Sequence, residues 1–163
     1  MASVRALIAD DIETTLQTIT VANGYNIALQ KVIKHKIIPD EKLDPLWRQA
    51  LVQFRYAGQT NARDSHHTLA TCRYQCQVSM TNNTADNFLM FLDDIEAALD
   101  KDSSRGGLDG AGYSVYDTYV QSINMSGSDE LDEILDSGDH KELVAILIII
   151  VEYTYVADLL SGS

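Results

Sequence analysis

Residues 143–151 read LVAILIIIV, nine apolar residues without a break in an otherwise acidic chain. A helix that crosses a membrane needs about 20 consecutive apolar residues, so this run is too short to serve as one. Most of its residues are Val or Ile, which are stiff at χ1 and favour the pleated sheet. Length and β-branching together predict a strand covered on both faces. We assign Val144, Ile146, Ile148 and Ile150 to the side that meets the helices. Leu143, Ala145, Leu147, Ile149 and Val151 then form the other side, and a neighbouring subunit would supply their cover. Such a strand argues for assembly rather than for lipid.

The other segments follow by periodicity. In SVRALIADDIETTLQTI the residues Val4, Ile8, Ile12, Leu16 and Ile19 recur about four apart, with Leu7 adjoining, as on an amphipathic helix. Ser3 is placed to cap its start and Asn23-Gly24 to end it. ALQKVIKHKII reads as a strand closed by Pro39, and an exposed loop follows. In WRQALVQFRYAG the residues Ala50, Val52, Phe54 and Tyr56 alternate with Gln49, Leu51, Gln53 and Arg55. GQTNARDSHH reads as a polar hairpin connection into TCRYQCQVSM, where Cys72, Tyr74, Cys76, Val78 and Met80 share one face. Thr84 or Asp86 caps a second helix whose buried face is Phe88, Phe91, Leu92, Ile95 and Leu99, with Asp93, Asp94 and Glu96 on its wet side. YSVYDTYVQSI is a further strand. DELDEIL fits one or two helical turns in an acidic connector, residues 124–141, and residues 157–163 form a loose tail. The expectation is a single α+β domain, residues 1–163. It has a mostly antiparallel sheet of about five strands with two helices packed on one face.

Asp and Glu total 24 against 12 Lys and Arg, a formal net charge of −12. A surface that acidic repels phosphates, because affinity for DNA comes largely from Lys and Arg displacing counterions. Lining a passage that DNA must not adhere to stays open. Cys72 and Cys76 lie four apart on a strand, about 13 Å, beyond the reach of a disulfide. Both are expected to be buried free thiols in a reducing compartment. The opening residues MASVRALIADDIETTL carry acids where the apolar core of a secretory leader would lie, so no leader is expected.

Chemistry is thinly represented. Asp64, Ser65, His66 and His67 are hydrolase residue types, but triads are assembled from distant positions around an oxyanion hole, and a solvated hairpin tip accounts for them. Asp129, Asp132, Glu133, Asp136 and Asp139 crowd one connector without the alternation and central glycine of a calcium loop. SRGGLDGAG lacks the Lys-Ser/Thr of a phosphate loop and follows a helix rather than a strand. We expect no enzyme, no metal and no cofactor. Trp47, the eight tyrosines and the two-sided apolar strands suit a chain partly covered by protein partners.

The order of elements adds a resemblance. VRALIADDIETTLQTITVANGYN runs into a strand at KVI, a middle strand precedes FLMFLDDIEAALDKD, GGLDG follows, and VAILIIIVEYTY ends the fold. This layout resembles the tail-terminator (tail-completion, or neck) proteins of tailed bacteriophages over residues 3–156. ITVANGYN and ALD…GGL are its most telling parts. The resemblance implies a non-enzymatic virion component, assembled in the host cytoplasm. In that family a hexameric ring caps the tail tube protein, stops its growth and meets a head connector, with DNA passing through the bore. An acidic bore would release phosphates, so Asp129, Asp132, Glu133, Asp136 and Asp139 are expected to face the channel. DEKLDPLWRQALVQFRYAG and SGSDELDEILDSGDHKE are longer than is usual in the family, which leaves the docking surfaces open. The alternatives are a head-completion or other head–tail joining adaptor. From a different class comes a small hydrolase or metal-dependent enzyme using residues 64–67 or 129–139.

Overall fold

The computed structural model describes residues 3–64, 67–100, 107–110, 112–126 and 140–156. Among the described residues two helices, α1 (Val4–Leu16) and α2 (Ala85–Leu99), accompany six strands. These are β1 (Lys31–Lys34), β2 (Leu51–Asp64), β3 (His67–Asn83), β4 (Asp109–Gly110), β5 (Tyr113–Ser126) and β6 (His140–Val156). They form one sheet in the order β1-β2-β3-β6-β5-β4. All neighbours are antiparallel except β1 and β2, which run parallel with Lys31 opposite Leu51. The α+β class is as expected, and the sheet is mixed, with one parallel pair among its strands.

The parallel pair has a local cause. A parallel neighbour needs a crossover, not a tight turn. Residues 35–50 supply it through two 3-10 turns, Asp40–Lys42 and Trp47–Gln49. Most of this segment is exposed, as the sequence led us to expect, but not all of it is free of the fold. It packs Leu43, Ile38 and Trp47 against Ile33 and Leu51 as a small second cluster. Gln53, fully buried beneath it, accepts a hydrogen bond from the Ile38 amide (2.6 Å).

One core cluster joins Ile8, Ile12, Leu16 and Ile19 with Phe88, Phe91, Leu92, Ile95 and Leu99. It also holds Val52 and Phe54 of β2, Ala70 through Met80 at alternate positions of β3, and Leu143, Ala145, Leu147, Ile149 and Val151 of β6. The α2 stripe is therefore as its spacing predicts; in α1 Ile8, Ile12 and Leu16 are buried, whereas Val4 and Leu7 are exposed and Ile19 packs from beyond the helix end. Each large side chain taken fully out of water contributes about 1.5–3 kcal/mol, which orients α1 and α2 against the strands.

The β6 assignment needs correcting. Leu143, Ala145, Leu147, Ile149 and Val151 do not await a neighbour; they are at most 1% exposed inside the chain's own core. Val144, Ile146 and Ile150 are the half-buried set, with Ile148 at 8% exposure. An apolar run carries no contrast from which to read its phase. Its flanks do: Glu142 and Glu152 are in phase with Ile146 and Ile148, whereas Tyr153 is in phase with the core set.

Several boundaries also move. α1 ends at Leu16, and Gly24, with φ +89°, caps the 3-10 turn Val21–Asn23 instead. Ser3 makes no side-chain cap, whereas the Thr84 hydroxyl accepts from the Asn87 amide (3.2 Å) as anticipated. The polar segment 59–64 is strand: β2 and β3 stay paired out to Asp64 opposite His67. A bulge between Tyr56 and Gly58 bends β2, and Gly58 takes φ +130°, which side-chain-bearing residues rarely adopt. Residues 124–126 and 140–141 of the expected connector belong to β5 and β6. The helical turn expected at DELDEIL and the loose tail 157–163 lie outside the described residues.

Asp94 is the other correction. The sequence places it with Asp93 and Glu96 on the wet side of α2; Asp93 is exposed and Glu96 half-buried, but Asp94 is 1% exposed. It accepts hydrogen bonds at 2.9 Å from the Asn26 amide, the Asn26 side chain and the Ile27 amide. The extended segment between the first 3-10 turn and β1 needs partners for its amides, and a carboxylate from α2 supplies them.

Candidate functional site

The face of the sheet opposite the main core cluster is built by the register of four strands. Arg55 of β2 lies opposite Gln75 of β3, Gln75 opposite Ile148 of β6, and Ile148 opposite Tyr119 of β5. The rows beside it place Ile150 between Arg73 and Asp117, and Ile146 between Gln77 and Ser122. The result is an apolar stripe, Val144, Ile146, Ile148 and Ile150, flanked by long polar side chains. Arg55 donates from Nε (3.2 Å) and Nη2 (3.0 Å) to the Gln75 Oε1. Tyr119, at 42% exposure, borders the other side. Toward β1 this face is closed by the crossover, where Leu51 and Gln53 are fully buried; past β3, Val144, Ile146 and Ile150 are half-buried and Ile148 is 8% exposed.

A second polar group lies on the opposite face, near the start of α1. The Cys72 thiol donates to Gln59 Oε1 (3.1 Å), and the Tyr153 hydroxyl donates to the same oxygen (2.9 Å). The Tyr74 hydroxyl donates to the Arg5 carbonyl (2.8 Å), and the Arg5 guanidinium stands 5.5 Å from the Tyr56 ring centre. Burial pushes the Cys72 and Cys76 thiols and the Tyr74 hydroxyl upward. Raised thiols hold little thiolate, the form needed for nucleophilic attack or metal binding. Cys72 and Cys76 are free and buried, as their spacing predicts. The group reads as a tether from the start of α1 to β2, β3 and β6.

At the end of the sheet where β6 begins, Arg48, Asn82, Asn83, Lys141 and Glu142 line a cavity of about 610 Å³. Arg48 is already engaged there, 3.6 Å from Glu142 and 3.8 Å from Asp40, so it is not a free anion receptor. Among the described residues no group of His, Cys, Asp and Glu is arranged to hold a metal. Of the residues weighed for hydrolysis, Asp64 and His67 close the β2–β3 ladder, while Ser65 and His66 lie outside the described residues. The acids Asp129, Asp132, Glu133, Asp136 and Asp139 also lie outside them, so the structure does not place the expected channel lining. No described helix is long and apolar enough to cross a membrane.

No protein-family model matches the chain, and a search of curated proteins returns no significant match. The functional reading therefore rests on the surface itself.

Around β5 the surface is acidic. Burial raises the Glu96 carboxyl above its ordinary range, and the like charges of Asp93 and Asp117 add to the effect. A raised carboxyl contributes stability below its unfolded pKa and loses it as pH climbs through the folded value. Glu96→Gln should therefore stabilise the chain at neutral pH, by up to about 0.5 kcal/mol for so partly exposed a position. The gain should vanish under acid conditions, and thermal melts across pH would show it. A gain that persists at acid pH would contradict this account.

Proposed function

We propose that this chain is a structural subunit of a tailed-bacteriophage tail terminator or neck. It forms a ring that caps the tail tube, with DNA passing through the bore. Two helices cover one face of a mostly antiparallel sheet, and the stripe on the other face meets the tail tube protein. The observation that carries the reading is that stripe: four apolar side chains on one strand, rimmed by Arg, Gln and Tyr, of which Val144, Ile146 and Ile150 stay only half-buried within the chain while Ile148 is 8% exposed. An apolar centre with a polar rim rich in Tyr and Arg is the anatomy of a protein interface. The element order α-β-β-β-α-β-β-β matches the expected layout apart from the added two-residue strand β4 at Asp109–Gly110, and lends the reading support. Asp129, Asp132, Glu133, Asp136 and Asp139 belong to the proposal as the bore lining.

The test is assembly with and without a charge in the stripe. Sedimentation and negative-stain imaging of the purified chain should show a closed ring, and adding it to polymerising tube protein should stop growth. Ile146→Asp, at a half-buried position of the stripe, should keep the circular dichroism of the fold and lose the capping. A chain that stays monomeric, or tubes that lengthen regardless, would overturn the proposal.

A further inference from the structure

We infer that neighbouring copies join by their sheet edges, the open edge of β5 in one copy pairing antiparallel with the open edge of β2 in the next. This deepens the ring reading and rests on it. β1 covers only Leu51–Phe54 of β2, and β4 covers only Tyr113 and Ser114 of β5. Among the described residues, Arg55–Asp64 and Val115–Ser126 have no strand partner on their outer sides. Long unpaired edges are templates for another strand, and soluble chains usually shorten, charge or cover them. Here two such edges stand at opposite ends of one sheet.

Three features select a second copy of this chain as the occupant. The first is direction. Each step along β2-β3-β6-β5 reverses the strand, so β5 runs antiparallel to β2. Copies that follow one another in the same orientation therefore meet as antiparallel neighbours, the pairing that most of this sheet already uses. The contact is head-to-tail, the kind that closes into a ring when the rotation allows.

The second feature is stagger. β1 blocks the β2 edge at the level of Val144, whereas β4 blocks the β5 edge at the opposite end, level with Tyr153. The open stretches coincide only if each copy slides along its neighbour. A slide repeated around a ring inclines the strands to its axis, as in any closed sheet. Bulges on both strands, at Tyr56/Gly58 and at Val115/Asp117 and Val120/Ser122, restrict which foreign strand can follow these edges.

The third feature is charge. In a chain of net charge −12, the β2 side presents Arg55, Arg63 and Arg73, all exposed, while Asp93, Glu96 and Asp117 lie at the β5 side. Opposite signs on the two edges favour head-to-tail contact over like edges meeting. The apolar stripes of successive copies then recur around the ring as one belt facing the tube.

Hydrogen exchange of the full chain, diluted and assembled, tests the pairing directly. Alternate amides in 55–64 and 115–126 should exchange at least about tenfold more slowly in the assembled state. Thr60→Cys combined with Ser122→Cys should give, on oxidation, a covalent ladder that ends at the ring size. Cys72 and Cys76 are buried and should stay out of it. A ring in which neither edge gains protection and no ladder forms would overturn the edge pairing while leaving the ring. A chain that never assembles would overturn both.

Discussion

Asp94→Ala should cost about 3 kcal/mol of folding stability, the largest loss expected from any polar position described here. The carboxylate is 1% exposed and accepts three hydrogen bonds, two from the backbone amides of Asn26 and Ile27. Removing it leaves two amides without their acceptor in a part-buried site, where Asn26 is exposed and Ile27 half-buried. Each buried orphan costs about 1–3 kcal/mol, and bonds to a charged group are worth more than neutral ones. Asp94→Asn should be milder, because its one acceptor oxygen can still serve a backbone amide. Urea unfolding of the three chains would measure the order. Equal stability of wild type and Asp94→Ala would show that this carboxylate does not hold the segment between α1 and β1.

Leu147→Ala should destabilise the fold by about 2–5 kcal/mol, while Ile146→Ala, its neighbour in sequence, should cost less than about 1.5 kcal/mol. Leu147 is fully buried in the cluster that contains α1 and α2. Its truncation leaves a cavity that close-packed neighbours fill only in part. Ile146 stands on the opposite side of the pleat, half-buried between Gln77 and Ser122, where solvent can occupy much of the space vacated. The pair measures the phase of β6 directly. Chemical denaturation midpoints in the reverse order would return the core to the even-numbered set.

Much of the fold was legible because its periodicities were clean. The α2 stripe of Phe88, Phe91, Leu92, Ile95 and Leu99 and the alternating β3 face of Cys72, Tyr74, Cys76, Val78 and Met80 are buried as their spacing requires. Contrast between apolar and polar positions sets the rotation of a helix or the face of a strand. Where contrast failed, so did the reading. β6 is apolar at every central position, and only its flanking glutamates mark the outer side. GQTNARD is polar on both faces, yet it is strand, because pairing with β3 satisfies its backbone whatever its side chains prefer.

The candidate surface was half legible. That β6 is apolar on both sides followed from its composition; that Val144, Ile146 and Ile150 are on the less buried side did not. Asp94 illustrates the same limit. Helical phase leaves a position at the margin of the wet face, and only the chain arriving from Asn26, distant in sequence, makes it a buried anchor.

The sequence alone determined that α1 and α2 are helices and which apolar side chains of α2 and β3 leave water, since these follow from local periodicity and apolar content. Tertiary structure decided the parallel β1–β2 pair, the burial of Asp94 and Gln53, and the face that β6 turns outward. It also decided that β2 and β5, rather than shorter strands, stand beside the sheet's edges. Each of these depends on which distant segment arrives beside a residue, and no local pattern in one chain encodes that arrival.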